Sequence, residues 1–277
     1  MALFVNTNVA SLEVQRNMSS VQSSLVRNFQ RLSSGLRINS AADDAAGLSI
    51  SESFKMQIGG FSVAERNAND GISFAQTADG GLSRMSSLIA RMRDLAVEAG
   101  NGDLTSTDRA YLNTEFIALR SEIDRIASST KFNSTALLGN NTTALVTVDF
   151  QVGIGTNSSD RISIGLLGTE SSDLAINASV VATTQGATSA IQSIDAALAT
   201  LNTRRETFGA MVNRLQVTIA SVQAMKTNLS AANSRIRDVD VAEETAALTR
   251  NQVLAQAGAA VLAQANQTPQ IALGLLR

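Results

Sequence analysis

The sequence predicts a mainly α protein, an elongated antiparallel helical bundle or coiled coil with paired terminal helices and a small β-hairpin insert. Three observations lead to this fold class. Long segments keep one apolar stripe at alternating spacings of three and four residues, the 277 residues include a single proline, and an apolar–polar alternation is confined to one internal segment. A stripe with this spacing occupies one face of a helix and is buried against another helix.

The longest stripe runs from Ile191 to Ile236, a segment that contains one glycine and no proline. At about 1.5 Å per residue, a helix over this segment is a rod roughly 70 Å long. We predict that its inward positions form an intramolecular core and that the helix flanks carry contacts between subunits. The stripe of this predicted rod includes Leu198, Leu201, Phe208, Val212, Leu215, Ile219 and Val222.

Two further helices are predicted near residues 64–99 and 107–127. Thr105 and Asp108 have the spacing of a capping box at the start of the second one. The stripe of the first holds small residues in its first half, which would allow close helix approach. Gly59 and Gly60 are expected to break a shorter helical run that precedes it.

Both chain ends also show helical spacing. A first helix is predicted through Val14 and Leu32, with an interruption at Ser33–Gly35. Near the other end, apolar residues recur at intervals of seven, and no charged side chain occurs between Arg250 and Arg277. The residues of this predicted terminal stripe are Val241, Leu248, Ala255 and Leu262.

Between the long helices the apolar period changes from helical to alternating. Val146, Val148, Phe150 and Val152 alternate with polar residues, and a second alternation includes Ile162 and Ile164. This pattern predicts one or two β-hairpins between about 140 and 180. The segment is rich in Ser, Thr, Asn and Gly, so we expect it to face solvent.

The composition argues against catalysis. The chain has no histidine and no cysteine, which removes the commonest general base, the commonest zinc ligand and all thiol chemistry. We therefore expect no enzyme activity, no cofactor and no metal site. The carboxylates at Asp43–Asp44, Asp238 and Asp240 are interpreted as helix caps and ion-pair partners rather than as a catalytic or cation site.

The charge and hydropathy patterns limit the classes of partner that the chain is expected to bind. A formal net charge of −2 gives no electrostatic case for nucleic acid or an anionic membrane. The sequence has no run of 18 apolar residues and begins without the pattern of a secretory signal peptide. We expect no membrane insertion and, if the protein leaves the cell, export by a route that does not cleave a leader.

Several long strings of residues resemble bacterial flagellin, in a short form without the large outer domains of many flagellins. In the first half they are VNTN at 5–8, RLSSGLRINSAADDAAGL at 31–48 and RNANDGISFAQTADGGL at 66–82. In the second half they are FGA at 208–210, NRL at 213–215 and NLSAANSRIRDVDVAEETAALTRNQVLAQAGAAVLAQANQTPQ at 228–270. The resemblance covers about 1–139 and 188–277.

The resemblance implies three parts. Residues 1–40 and 237–277 would form the inner tube of a filament, residues 41–139 and 181–236 a helical rod domain, and residues 140–180 an outer hairpin segment of that rod. It also implies a homopolymer, export through the flagellar type III apparatus, and partners among the filament cap, the hook–filament junction proteins and an export chaperone. The function implied is that of a structural subunit for swimming motility, located outside the cell in the flagellar filament.

A surface patch also follows from the resemblance. Arg91, Leu95 and Glu115 stand where flagellins recognised by an animal Toll-like receptor carry Arg, Leu and Glu. The same surface packs subunits together in the filament. Leu95 lies one step off the main stripe, so it is expected either as a partly exposed contact or as a leucine at the edge of the core.

Three alternative functions remain to be weighed. A hook–filament junction protein of the same family is the nearest one. A metallopeptidase insert, which some flagellins carry, would require histidine ligands that this chain lacks. A secreted monomeric effector or adhesin would leave the two uncharged ends without a role and predicts no polymer at any concentration.

The uncharged ends give the first testable prediction. They have little to pack on in a monomer, so we expect both ends to be mobile there and to become ordered on assembly. Limited proteolysis of dilute monomer, read by mass spectrometry, should trim both ends before any internal bond is cut. Ends that resist the protease as well as the middle of the chain would contradict the prediction.

Overall fold

The computed structural model describes residues 7–139 and 146–274 and is mainly helical, which confirms the predicted fold class. The chain divides into two compact units. One contains both chain ends, up to Ile58 and from Thr227 onward, and the other is Gly59–Lys226. The elements are α1 Val9–Ser34, α2 Ala45–Ala99, α3 Ser106–Ser129, β1 Lys131–Phe132, β2 Thr135–Ala136, β3 Val146–Gln151, a 3-10 turn Ser158–Asp160, β4 Arg161–Leu166, α4 Thr184–Arg237 and α5 Val241–Gly274.

Helix α2 passes through Gly59 and Gly60 without interruption, so the expected break is wrong. A glycine inside a helix costs only about 1 kcal/mol relative to alanine, and burial of neighbouring residues offsets that cost. At Gly60, an added Cβ would lie 2.8 Å from Ile154 Cγ2. Glycine at this position therefore lets the loop after β3 approach the helix.

The core of unit Gly59–Lys226 is built on the predicted stripe of α2. Leu82, Met85, Ile89 and Met92 are fully buried. The small residues in the first half of the stripe allow close approach, because a Cβ added at Gly71 would lie 3.1 Å from Leu215 Cδ1 and 3.2 Å from Phe150 Cγ. Facing this stripe are buried residues of α3 and α4, namely Phe116, Ile123, Ile126, Ile194, Leu201 and Phe208.

The start of α3 confirms the predicted capping box. The Thr105 hydroxyl accepts from the Asp108 N–H at 3.3 Å, and the Asp108 carboxylate accepts from the Thr105 N–H at 3.0 Å. The Thr105 hydroxyl also donates to this carboxylate at 2.6 Å, and this bond, followed by the one from the Thr105 N–H, lowers the pKa of Asp108. The first turn of α3 is thus held by reciprocal contacts that stabilise the carboxylate form.

The described part of segment 140–180 contains one hairpin. Strands β3 and β4 pair antiparallel, with Val146 opposite Leu166 and Gln151 opposite Arg161. Ile164 and Leu166 are buried, so the expectation that the segment faces solvent is wrong for one face of the hairpin. The period of two along a strand places alternate side chains on the core. Residues 140–145 of the predicted hairpin region lie outside the described residues.

A second and much shorter hairpin, β1–β2, was not predicted. Its turn residues Asn133 and Ser134 have φ angles of 45° and 68°. Two consecutive residues with positive φ form the tight turn that suits the twist of a hairpin, and Asn tolerates this conformation. Two-residue strands give too little alternation for a sequence pattern to reveal them.

Residues 167–183 contain no strand and are anchored by side chains of the helices. The guanidinium of Arg204 donates to the carbonyls of Leu167 and Gly168, and burial lowers the pKa of Arg204. The Asp124 carboxylate accepts from the Ser171 N–H at 2.7 Å and from its hydroxyl at 2.9 Å. Hydrogen bonds to buried backbone groups thus replace a sheet ladder in this segment.

In the unit of the chain ends, α1 and α5 pack side by side. Gly35 ends α1 in the left-handed conformation, with φ 72°. The segment that follows is paired with the end of α4, because the Arg37 N–H donates to the Arg237 carbonyl at 2.7 Å and the Val239 N–H donates to the Gly35 carbonyl at 3.1 Å. These two bonds tie together the turns that lead out of α1 and into α5.

The buried stripe of α2 generates a stability prediction. Leu82→Ala removes a fully buried side chain and should lower the free energy of unfolding by about 2–5 kcal/mol. Val97→Ala on the same helix is a control, because Val97 is 52% exposed and its loss should cost under about 0.5 kcal/mol. Chemical denaturation followed by circular dichroism measures both. Equal effects of the two variants would show that the stripe is not the stabilising core.

Candidate assembly surfaces

Helices α1 and α5 form a two-stranded antiparallel coiled coil, called the terminal coiled coil below. On each helix, the buried and half-buried positions follow the alternating spacing of three and four residues that a coiled coil requires. The seam of α1 is Ser11, Val14, Met18, Val21, Leu25, Asn28 and Leu32. The seam of α5 is Glu244, Leu248, Asn251, Ala255, Gly258, Leu262 and Ala265.

The structure places three of the four residues of the predicted terminal stripe on this seam. Leu248, Ala255 and Leu262 are half-buried against α1. Val241 has the same heptad position but is the first residue of α5 and is 59% exposed. It lies next to the turn that leads into the helix, where α1 does not cover it.

The outer faces of the terminal coiled coil remain apolar. Two packed helices bury only the seam, so large side chains on its flanks stay open to solvent. Phe29 is 54% exposed and Val253 is 59% exposed. Further exposed large apolar residues among the described residues of the two helices are Val9, Leu12, Val26, Val241, Leu254 and Val261. Exposed apolar surface of this extent is typical of a surface that binds another protein.

The predicted rod stripe of α4 lies in the core of unit Gly59–Lys226. Leu201 and Leu215 are fully buried, and Phe208 and Val222 are nearly so. Leu198, Val212 and Ile219 are half-buried and pack against the same core clusters. The stripe therefore packs within the chain, and the flanks of α4 remain available for other contacts.

Arg91 and Glu115 of the predicted patch form an ion pair between α2 and α3. Their Nη2 and Oε1 atoms are 2.8 Å apart, and Nε donates to the same oxygen at 2.9 Å. The hydrogen bond to Glu115, followed by the charge of Glu115, raises the pKa of Arg91. Both side chains are about half exposed, so the pair is also accessible to a second molecule.

Leu95 is 1% exposed, so the expectation of a partly exposed contact is wrong. Around this residue, α2 has neighbours on two sides. Arg91 pairs with Glu115 of α3, and Arg93 pairs with Asp195 of α4 at 2.7 Å. A helix flanked on two sides buries a wider arc than one stripe, and this arc includes Leu95.

Three of the four carboxylates that were interpreted as caps or ion-pair partners accept hydrogen bonds from the backbone of a turn or a helix start. Asp44 Oδ1 accepts from the Gly47 N–H at 2.9 Å at the start of α2. Asp240 Oδ1 accepts from the Ala242 N–H at 2.9 Å at the start of α5. The Ser40 N–H and hydroxyl both donate to Asp43 at 3.0 Å and lower its pKa. All three carboxylates are used to fix backbone turns.

Metal-ligand clusters and membrane-spanning helices are both absent from the described residues. Within residues 7–139 and 146–274, the structure has no group of three or more Asp, Glu, His or Cys side chains arranged to hold a metal ion. None of the helices in these same ranges has the length and apolarity needed to cross a bilayer.

Comparison with known protein families matches both halves of the chain. The bacterial flagellin N-terminal helical region matches residues 5–143, and the bacterial flagellin C-terminal helical region matches residues 191–276. Together they cover most of the sequence and both partners of the terminal coiled coil. A helical chain of this kind is a structural protein of the bacterial flagellum.

Relatives that match along the full length of the chain belong to the same class of protein. The chain is 44% identical to flagellin of Halalkalibacterium halodurans over 99% of its own length and 100% of the relative. It is 39% identical to flagellin FlaB2 of Treponema pallidum and 39% identical to flagellin of Bacillus subtilis, with 99% of this chain covered in both. The chain belongs to the bacterial flagellin family, and it is a subunit of the flagellar filament.

Solved structures support the fold. The crystal structure of Bacillus cereus flagellin is 31% identical, has a TM-score of 0.50, and covers 61% of this chain and 94% of its own. A structure from Vibrio parahaemolyticus, provisionally described as a flagellar hook-associated protein, has a TM-score of 0.58 at 15% identity and covers 71% of this chain and 100% of its own. The second likeness concerns the fold alone.

Proposed function

We propose that the terminal coiled coil is the part through which this filament subunit polymerises, and that it lines the inner tube. The observation that carries the proposal is the exposed apolar surface on both flanks of the seam, with Phe29 and Val253 each more than half exposed. Burying such surface between copies is favourable by about 25 cal/mol per Å². In a helical polymer each copy meets neighbours on several sides, so both flanks are covered at once.

The seam and the flanks then have separate roles. The seam joins the first and last helices of one chain, and the flanks join that pair to other copies. No charged side chain follows Arg250 until Arg277. An uncharged surface suits a tightly packed tube, because burial of an unpaired charge is expensive.

Unit Gly59–Lys226 makes its own contacts with neighbouring subunits under this proposal. Its apolar stripes are used internally, so these contacts involve its flanks, with ion pairs such as Arg91–Glu115 and single exposed apolar side chains such as Val217. In the predicted division of the chain, residues 41–139 and 181–236 are the rod domain and residues 140–180 are its outer segment. This division stays a prediction.

The remaining partners are proposed from family membership. They are the filament cap, the hook–filament junction proteins, an export chaperone and the type III export apparatus, with export that leaves no cleaved signal peptide. An apolar flank on α5 gives a chaperone a surface to cover before assembly. The role of hook–filament junction protein gains no observation in its favour over that of filament subunit.

The patch of Arg91, Leu95 and Glu115 is proposed as a contact between subunits, and as a site for an animal Toll-like receptor. The accessible part of the patch is the ion pair, since Leu95 is buried and acts by holding α2 in place. A partner would meet a guanidinium and a carboxylate held in a fixed arrangement on two helices.

Seeded growth tests the role of the terminal coiled coil. Full-length chain added to short filament fragments should extend them, and a chain without the last forty residues should not, as seen by electron microscopy. Val253→Asp with Val261→Asp should also stop growth, because a charge on the flank cannot be buried cheaply. Val253→Thr with Val261→Thr keeps the shape and should only slow growth. Growth of the aspartate variant at the parent rate would refute the proposed contact.

A charge swap tests the patch. Arg91→Glu with Glu115→Arg keeps the ion pair and should leave the thermal unfolding midpoint of the monomer unchanged, whereas Arg91→Glu alone should lower it. If the patch contacts another subunit, the swap should slow seeded growth although the monomer is as stable as the parent. Glu122→Arg with Arg125→Glu is the matched control, because that exposed pair lies within α3 alone. Parental growth of the patch swap would exclude an assembly role.

A further inference from the structure

Polar side chains interrupt the seam of the terminal coiled coil near one end. Asn28 of α1 is 7% exposed, and Glu244 of α5 is 9% exposed. Asn28 Nδ2 donates to Glu244 Oε1 at 2.7 Å, and Asn251 Nδ2 donates to Asn28 Oδ1 at 3.1 Å. Asn28, Glu244 and Asn251 thus form one connected group, called the polar rung below.

The apolar part of the same seam specifies the alignment of the helices only weakly. On α5 the seam positions after the polar rung include Ala255, Gly258 and Ala265. Small side chains form shallow contacts, and a slide by seven residues exchanges Gly258 for Ala265 on α5 and Val14 for Val21 on α1, while Ala255 is exchanged for a leucine. Met18 lies against Gly258, with 3.0 Å from an added Cβ to Met18 Cγ.

A slide by one heptad does separate the polar rung. In one direction, Glu244 moves beyond the end of α1. In the other direction, Asn251 comes to lie opposite Val21. Because Glu244 and Asn251 are themselves seven residues apart, either slide leaves Asn28 beside one of these two residues and removes its hydrogen bond to the other. Loss of a partner by a buried amide costs more than the hydrogen bond itself contributes. At the opposite end of the seam, the Ser11 hydroxyl lies 2.9 Å from Asn266 Oδ1, but Asn266 is exposed and water can replace this contact.

We propose that the polar rung fixes the register of the terminal coiled coil, at the expense of some stability. A polar residue at a core heptad position is known to select one alignment among several in coiled coils. Asn28 and Asn251 select the register, and the carboxylate of Glu244 orients the Asn28 side chain. Arg31, whose Nη1 is 3.7 Å from Glu244 Oε2, supplies the counter-charge.

The register matters because the flanks are defined by it. Phe29 and Val26 of α1 must stand at fixed heights relative to Val253 and Leu254 of α5 for every copy to present the same surface. A helical polymer repeats one contact many times, so subunits in two registers would not fit one lattice. This consequence rests on the proposed role of the terminal coiled coil, whereas the register itself can be measured in a single chain.

The absence of cysteine makes the register measurable by disulfide exchange. Met18→Cys with Gly258→Cys reports the native alignment, and Met18→Cys with Ala265→Cys reports a slide of one heptad. Each reporter is equilibrated as dilute full-length monomer in a glutathione buffer, and the intramolecular disulfide is quantified in the monomer band. The disulfide equilibrium follows the effective concentration of the two thiols, so it also reports a hairpin that fluctuates.

In the parent background, the native disulfide should exceed the shifted one by about tenfold or more, as expected when a slide leaves buried polar groups unpaired. Asn28→Leu with Asn251→Leu should reduce this ratio below about threefold while helix content is kept, because an apolar seam tolerates both alignments. Asn17→Leu with Gln252→Leu makes similar amide-to-leucine changes at exposed positions of the same helices and should leave the ratio at the parent value.

Three results would overturn the proposal. They are a ratio near one in the parent, an unchanged ratio in the Asn28→Leu, Asn251→Leu chain, or the loss of both disulfides in that chain, which would make the rung a stabiliser rather than a selector. Seeded growth of the same leucine variant is scored separately. Lost register selection with parental growth would leave the register assignment standing and would remove the terminal coiled coil from the assembly mechanism.

Discussion

The buried stripe of α2 is the contact on which unit Gly59–Lys226 depends. Leu82, Met85, Ile89 and Met92 have no exposed surface, and α3, α4 and the β3–β4 hairpin all supply residues to the same cluster. Because the stripe serves neighbours on two sides, even Leu95 beside it is covered. Because the stripe is used internally, the outer flanks of the unit carry ion pairs such as Arg91–Glu115 together with single exposed apolar side chains such as Val97 and Val217.

In the terminal coiled coil, most of the large apolar side chains are exposed rather than buried. Its seam is narrow and contains polar and small residues, whereas its flanks are apolar and exposed. A two-helix pair with such a seam gains little stability from its own packing. Its apolar surface is the one that we propose to be buried between copies of the chain, and membership in the bacterial flagellin family supports self-polymerisation.

The helices and the α2 stripe could be predicted from the sequence, because a three–four spacing sustained over many turns has one structural solution. The predicted helix break at Gly59–Gly60 was wrong, because packing contacts along α2 outweigh the free-energy cost of two glycines in a helix. Leu95 misled it because periodicity shows one face of a helix and not how many neighbours the helix has. The β1–β2 hairpin was too short to leave a pattern. The Asn28–Asn251 contact joins residues that are far apart in the chain, and only the fold brings them together.

The pairing of α1 with α5 has a consequence for synthesis. The seam of α1 is completed by a helix that is made more than two hundred residues later, so a chain that stops before Val241 leaves Met18 and Leu25 without a partner helix. Such a fragment can contain every residue of the α2 core and still lack the surface that we propose for assembly. Under that proposal, translation through α5 is a condition for entering the polymer, and a growing lattice would reject prematurely ended chains by geometry alone.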